Sequence, residues 1–358
     1  MRRRYLQLDM FLLVVIKKRQ MKIKFTTIVF LLISNFSFSQ YGTLITEGQV
    51  GKIVYKVYSQ RNHFDEFLKG MTNDSVANYN LWEKTIYNKT KAYWDIELKK
   101  EKDIKVAKNE LFEFHSKIND NSDILEVTKL FESEIEEYLK KTFKYYNTEK
   151  DTISVILIPI DSQGGTVKNI SDRNGIMPIG VNLIQTTRVL KGLVPHEYTH
   201  RYNGLKGGLP IDDKTWDEKS KMFWSLWGEG LASYGTGVIM GDFSTYNVML
   251  RKEYETFTMD EKTKSWLAKQ FLKQYNEPLL NTDDDTQRAK WFASNSTDIR
   301  KDFPPAIGYF LGYLVVKYSI DNLGYTFEEL LSTKPNKLKR IGKKALKELA
   351  KMPDVDNE

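Results

Sequence analysis

Val194-Pro195-His196-Glu197-Tyr198-Thr199-His200-Arg201-Tyr202-Asn203-Gly204 is the stretch on which the reading of this chain turns. Read as a helix, it puts His196 and His200 on one face. Two neutral imidazoles four residues apart can then fill two corners of a tetrahedral zinc site, at about 2.0–2.1 Å, without straining the backbone. Glu197 lies between them and would lean toward a water held by such an ion, where a carboxylate takes the proton as the water attacks a carbonyl. Pro195 sets the expected helix boundary. Deep in a helix a proline costs about 3 kcal/mol, so the helix is expected to begin near Gly192, with Pro195 in its first turn, and to end at Asn203-Gly204.

Two histidines leave a catalytic zinc one protein ligand short. The chain has only four histidines and no cysteine, so it can form neither disulfides nor thiolate ligands, and the third donor must come from His, Asp or Glu. His63 and His115 lie far upstream in polar, helix-forming sequence and are expected on the surface. Downstream, Trp224-Ser225-Leu226-Trp227-Gly228-Glu229-Gly230-Leu231-Ala232-Ser233-Tyr234 places one carboxylate, Glu229, in an apolar aromatic helix. A buried carboxylate needs a partner, and a metal ion is one. The small residues Gly228, Gly230 and Ala232 are expected to let this helix lie close against the one bearing His196 and His200. Asp217 and Glu218 stand as competing ligands in a lysine-rich stretch. Ser233 reads either as a hydrogen-bond partner of a ligand or as a packing residue.

Working outward, Gln49 to Tyr58 is β-branched and aromatic, a short strand or hairpin. From Asp65 to Tyr146 the apolar spacing is helical, as at Leu125, Leu130, Ile135, Leu139 and Phe143. It predicts three or four helices with breaks at Thr72-Asn73-Asp74 and Asn119-Asp120-Asn121-Ser122, their charge runs being solvated faces. Thr152 to Ile160 is the strongest strand signal, and Ile176 to Leu183 a second strand. Pro178 and Gly180 argue that the second strand lies at a sheet edge. From Gln185 onward the pattern is mainly helical. Asp283-Asp284-Asp285 lacks the alternating ligands of a calcium loop and reads as helix capping near Thr286. Lys334 to Lys351 reads as a basic amphipathic terminal helix with a solvated face.

Charge and leader belong together. Met21-Lys22-Ile23-Lys24, the apolar run Phe25 to Phe38 and the small residues before Gln40 have the layout of a signal peptide over about residues 21–39, too short and interrupted for a comfortable membrane span. The mature chain is expected to be exported, periplasmic or secreted, with no integral membrane span. Residues 1–20 are expected to be an upstream extension ahead of a true start at Met21. All of the formal net charge of +7 resides in residues 1–40, so the rest of the chain is electroneutral despite a sequence pI near 9.0. A nucleic-acid binder needs a basic surplus to neutralise phosphates, and that class is excluded on this reading.

His196-Glu197-Tyr198-Thr199-His200 followed by Gly228-Glu229-Gly230-Leu231-Ala232-Ser233-Tyr234 resembles the gluzincin clan of zinc metallopeptidases. More narrowly it is similar to the predicted zinc-dependent proteases of bacterial genomes with an "EGLA" ligand helix. The resemblance covers roughly residues 150–320. It implies Zn2+ held by His196, His200 and Glu229, Glu197 as general base, and a peptide or protein substrate. It also implies that Ile179-Gly180-Val181-Asn182 is an edge strand holding the substrate backbone. In Gly308-Tyr309-Phe310-Leu311-Gly312-Tyr313, Tyr309, in preference to Tyr313, would be the oxyanion donor. The spacing from His200 to Glu229 exceeds that of thermolysin-like enzymes, implying an inserted loop around Leu205 to Lys219. Ser233 stands where those enzymes carry an aspartate that steadies a ligand histidine.

The expected fold is therefore α+β, mainly α. A zincin-like catalytic domain would have a small sheet, including an edge strand, beside two active-site helices. The expected divisions are a mainly helical region at 41–150, the zincin-like region at 151–330 and a basic C-terminal helix and tail at 331–358. The same residues would also serve a zinc hydrolase of non-peptide amides or esters, or a non-catalytic envelope protein binding peptide or glycan.

Overall fold

The computed structural model describes residues 41–99, 101, 103–116, 122–209, 220–274, 287–293 and 298–351. The expectations for residues 1–40, for Asp217 and Glu218, and for Asp283-Asp284-Asp285 lie outside the described residues. The fold is α+β and mostly helical, with a five-stranded mixed sheet. Two compact units divide it, one of Met1–Leu44 with Asn62–Ile118 and the other of Ile45–Arg61 with Asn119–Glu358. The stretch 41–150 thus contributes to both.

The smaller unit is built from helices α1 (Arg61–Gly70), α2 (Ser75–Trp82, continued by a π turn at Glu83–Tyr87), α3 (Lys91–Leu98) and α4 (Ile104–Ser116). The expected break at Thr72-Asn73-Asp74 is present. The Asp74 carboxylate caps α2 by accepting from the backbone N–H groups of Val76 and Ala77 at 2.9 and 3.1 Å. His115 is not on the surface. It shares the buried face of α4 with Ala107 and Phe112, accepts at Nδ1 from Trp82 Nε1 at 2.9 Å, and meets the rings of Phe64 and Trp94. Helical periodicity, three residues on from Phe112, overrides the polar character of the residue.

In the larger unit the hairpin of β1 (Thr43–Val50) and β2 (Ile53–Ser59) turns at Gly51, whose φ of 57° a side chain would resist. Helix α5 (Ser122–Tyr145) precedes β3 (Asp151–Ile158), and β4 (Lys168–Ser171) and β5 (Asn174–Gly180) follow, in the sheet order β1-β2-β3-β5-β4. β2 and β3 pair in parallel, with Ile53 opposite Asp151 and Ser59 opposite Leu157. β3 and β5 are also parallel, with Ile153 opposite Gly175 and Ile158 opposite Gly180. The near-continuous apolar runs of β3 and β5 are what a parallel strand covered on both faces requires.

The second strand is therefore not at an edge. β5 lies between β3 and β4, and its end is covered as well: Thr166 N–H donates to Pro178 O at 3.3 Å and Gly180 N–H to Gly164 O at 3.1 Å. Val181 and Asn182 have left the sheet for a short helix, α6 (Val181–Ile184). The Ile179–Asn182 segment thus offers no open ladder to a substrate. The outer cover comes from residues 164–171, whose glycines and polar side chains carry no alternating strand pattern.

Helix α7 (Thr187–Leu205) carries the opening motif and starts about two turns before Pro195, at Thr187 and not near Gly192. Thr186 caps it by accepting from Val189 N–H at 3.3 Å. The lost bond at Pro195 is outweighed by packing, because Leu190 and Val194 are fully buried. The Thr236 hydroxyl also ties α7 to the helix that follows, donating to Gly192 O at 3.4 Å. The helix ends at Leu205 and not at Asn203-Gly204, and Gly207, with φ of 75°, takes the left-handed turn beyond it. Against α7 lie α5, through Phe143 on Tyr198 at 4.7 Å and Tyr146 on Tyr202 at 4.5 Å, and β3. Asp151, the first residue of β3, accepts from Arg201 Nη2 at 2.6 Å, Arg201 Nε at 3.1 Å and the Tyr198 hydroxyl at 3.1 Å. Asp151 and Arg201 are each 1 % exposed, so this buried pair locks the motif helix to the head of the central strand.

The remaining helices are α8 (Lys221–Met240), α9 (Thr245–Met249), α10 (Glu261–Gln274), α11 (Gln287–Phe292), α12 (Ile307–Asp321), α13 (Phe327–Ser332) and α14 (Pro335–Leu349). α14 is amphipathic as expected. Its apolar face is covered, with Leu338, Ile341, Ala345 and Leu346 in the core and Gly342 against Phe223 and Trp227. Among the described residues no helix is long and apolar enough to cross a membrane.

Candidate metal centre

α7 and α8 pack side by side and bring His196, His200 and Glu229 together. His196 Nε2 lies 3.2 Å, and His200 Nε2 3.4 Å, from Glu229 Oε2. Among the described residues these three form a group that could hold a metal ion, with one ligand atom from each within 4.8 Å of the others. The donor set fits. Metal–ligand bonds of about 2.0–2.1 Å in a tetrahedron give edges of roughly 3.3 Å, close to the two spacings observed. The His196 side chain is 7 % exposed, whereas those of His200 and Glu229, at 23 and 20 %, are partly open to solvent.

The electrostatics follow from crowding. Burial by itself opposes ionisation of Glu229, but the charge of His200 and hydrogen bonds from both imidazoles outweigh it and hold the carboxyl well below its ordinary 4.5. Burial likewise opposes protonation of His200, and Glu229, assisted by Glu197, more than reverses this and raises its pKa above 6.5. Glu197 is buried within α7, and desolvation, only partly offset by the two histidines, lifts its pKa above 4.5.

The glycines around Glu229 act differently from expectation. Gly230 packs on α12 and not on α7: a Cβ there would overlap the Gly312 carbonyl and lie 2.9 Å from Gly312 Cα. The approach of α8 to α7 is made instead at Gly235, whose Cβ would meet Thr199 Oγ1 at 2.5 Å, and at Gly192, which abuts Thr236 and Leu250. Gly228 faces His200 with ordinary room, its nearest atom 3.8 Å away. The backbone-to-backbone crossing of α8 and α12 brings Tyr309 to the site. Its ring stacks on His196 at 6.2 Å, with 19° between planes, while Tyr313 lies on Tyr234 and Phe310. Burial first, then the nearby Glu229 and Glu197 carboxylates, push the Tyr309 phenol far above its ordinary 10.0, so it remains a proton donor.

Ser233 is fully buried and its Oγ has no hydrogen-bond partner, and the same is true of His196 Nδ1. Among the described residues three non-glycine residues adopt left-handed backbone, each with φ of 58°, and each stands at the threshold of this region: Gln185 before α7, Leu250 after α9 and Ala306 at the start of α12. Sequence reasoning missed the Asp151–Arg201 anchor. Its only signals were an acid heading an apolar strand and a basic residue directly after His200. No known protein family, curated protein or solved structure matches this chain.

Proposed function

We propose that this chain is an exported, zinc-dependent peptidase with a zincin-like catalytic unit. The observation that carries the reading is the convergence of His196, His200 and Glu229 with Glu197 buried among them. When bound, Zn2+ would polarise a substrate carbonyl and acidify water. Glu197 receives the proton of the attacking water and delivers it to the leaving amine nitrogen. Its raised pKa brings it closer to the working pH than an exposed glutamate would be. The neutral Tyr309 phenol donates to the oxyanion that develops on the carbonyl. Substrates are peptides or proteins, and the electroneutral chain beyond residue 40 supports no role with nucleic acid.

The test is Glu197→Gln assayed on a mixed peptide library, with zinc content measured on the same preparation. Zinc should remain near one per chain and hydrolysis should vanish. Undiminished hydrolysis would remove Glu197 as base.

A further inference from the structure

Beyond residue 40 the positive charge of this chain gathers on its last helix. Residues 334–351 carry eight basic side chains and one acid, Glu348, so this stretch holds +7 while the rest of the chain beyond residue 40 sums to −7. Five of the eight, Lys337, Arg340, Lys344, Lys347 and Lys351, recur at alternating spacings of three and four, the repeat that keeps side chains along one line of a helix. All five are exposed. From Lys337 to Lys347 the line runs about 15 Å along α14, and Lys351 stands just past its end. No acid interrupts it. Glu348 flanks the far end, where it pairs with Lys351 at 3.0 Å, and the Lys337 ammonium lies 5.7 Å from the centre of the Tyr325 ring, a contact that leaves its charge intact. Among the described residues Arg340, Lys344 and Lys347 have no ion-pair partner.

The opposite face of α14 is fully engaged. Leu338, Ile341, Ala345 and Leu346 are buried, and Gly342 is pressed against Phe223 and Trp227 of α8. Lys339, on the flank, donates to Ser220 Oγ at 2.6 Å. α14 thus has no apolar face left to insert into lipid. What it presents is a rigid row of cations, fixed by packing onto the helix that carries Glu229. Like charges one turn apart repel and weaken a helix, and a dense array of anions would relieve that repulsion.

We propose that the row Lys337, Arg340, Lys344, Lys347 and Lys351 docks this protein peripherally on an anionic phospholipid bilayer. A planar array of headgroups meets every member of a straight row at once, and each cation near such a surface adds to the attraction. The net-acidic remainder of the chain need not approach the headgroups, because charges further off than a Debye length of about 8 Å are screened. A nucleic-acid interface gathers basic residues from several elements around a groove, whereas these lie on one helix of an otherwise acidic chain. The docking is independent of the peptidase reading. It would hold the metal centre at a fixed orientation to the membrane, since α14 packs on α8.

The experiment co-sediments full-length protein with vesicles of phosphatidylcholine alone or of phosphatidylcholine with about 30 % phosphatidylglycerol. Three proteins are compared. One is wild type, one carries Lys337→Gln, Arg340→Gln, Lys344→Gln and Lys347→Gln, and one carries Lys69→Gln, Lys89→Gln, Lys105→Gln and Lys129→Gln, four exposed lysines of earlier elements. The two variants have the same net charge and the same residues 1–40, so their difference isolates the row. Wild type and the second variant should bind the anionic vesicles about 100-fold more tightly than the first, and that advantage should vanish as salt rises from about 0.05 to 0.5 M. Equal affinity of the first variant and wild type, a loss shared equally by both variants, or an advantage that survives high salt overturns the proposal. Tighter binding of wild type to a short DNA duplex than to the anionic vesicles at the same salt also overturns it, and reassigns the row to nucleic acid.

Discussion

A single methyl group at Gly230 should do more damage than its size suggests. On Gly230 a Cβ would sit 2.9 Å from Gly312 Cα and overlap the Gly312 carbonyl. Carbon atoms rest at about 3.5–4.0 Å, so α8 and α12 would have to part by roughly 1 Å along a contact that is backbone on both sides. No rotamer change can relieve such a clash, which places its cost at or above the upper end of about 1–3 kcal/mol for overpacking. Alanine returns about 1 kcal/mol of helix propensity over glycine, leaving Gly230→Ala destabilised by about 2 kcal/mol or more. Gly228→Ala, two residues away with its nearest neighbour at 3.8 Å, receives the propensity gain alone and should be stabilised by about 0.5–1 kcal/mol. Urea unfolding followed by tryptophan fluorescence measures both variants on the same footing. Equal midpoints for the two, or a Gly230→Ala variant more stable than wild type, would refute the close-crossing argument.

Asp151→Ala should cost about 3–5 kcal/mol in the same assay, because Arg201 is left buried without its carboxylate, whereas Asp151→Leu with Arg201→Met should recover most of the loss; a mild single-variant effect would mean the pair is not desolvated. In metal-free protein the combined contribution of His200 and Glu229 to stability should be fullest between about pH 4.5 and 6.5, while the raised pKa of Glu197 takes stability away as pH rises above 4.5. The raised pKa of His200 supplies stability that is complete below 6.5 and lost as pH climbs through its folded value, and the depressed pKa of Glu229 supplies stability complete above 4.5 and lost as pH falls through its own. Zinc requires neutral imidazoles, so its stabilisation should grow as pH rises. Melting curves from pH 5 to 8 with chelator and with zinc should therefore diverge, and parallel curves would contradict the assignment. Glu229→Ala should weaken zinc affinity far more than Glu218→Ala, as measured by competition with a chromophoric chelator, and the reverse ranking would move the third ligand.

What could be read before any coordinates were known was the chemistry carried by short-range spacing. His196 and His200 share a face because a helix repeats every 3.6 residues, and an acid among aromatic and small residues marks Glu229 as a group that must find a partner. Long-range choices were not legible. Gly230 announces a close approach but not which helix makes it, and α12 lies about eighty residues on. Pro178 and Gly180 suggested an edge strand because neither suits a ladder. Residues 164–171 nonetheless cover β5 with the backbone of a segment that has no strand signature. Pro195 argued locally for a helix start, and the buried faces of Leu190 and Val194 overruled it. His115 could have been placed, since it continues the buried stripe of Ala107 and Phe112, and its polarity concealed a periodicity that was present.

The left-handed residues Gln185, Leu250 and Ala306 bear on how this molecule can change over generations. Each would be more comfortable as glycine, by about 1–2 kcal/mol, so selection for heat resistance alone would drift all three that way. Glycine would also loosen the entrances to α7 and α12 and the turn that closes α9. A lineage prized for durability would thus surrender the fixed bearing of His196 and Tyr309 one hinge at a time, with every donor atom still in place.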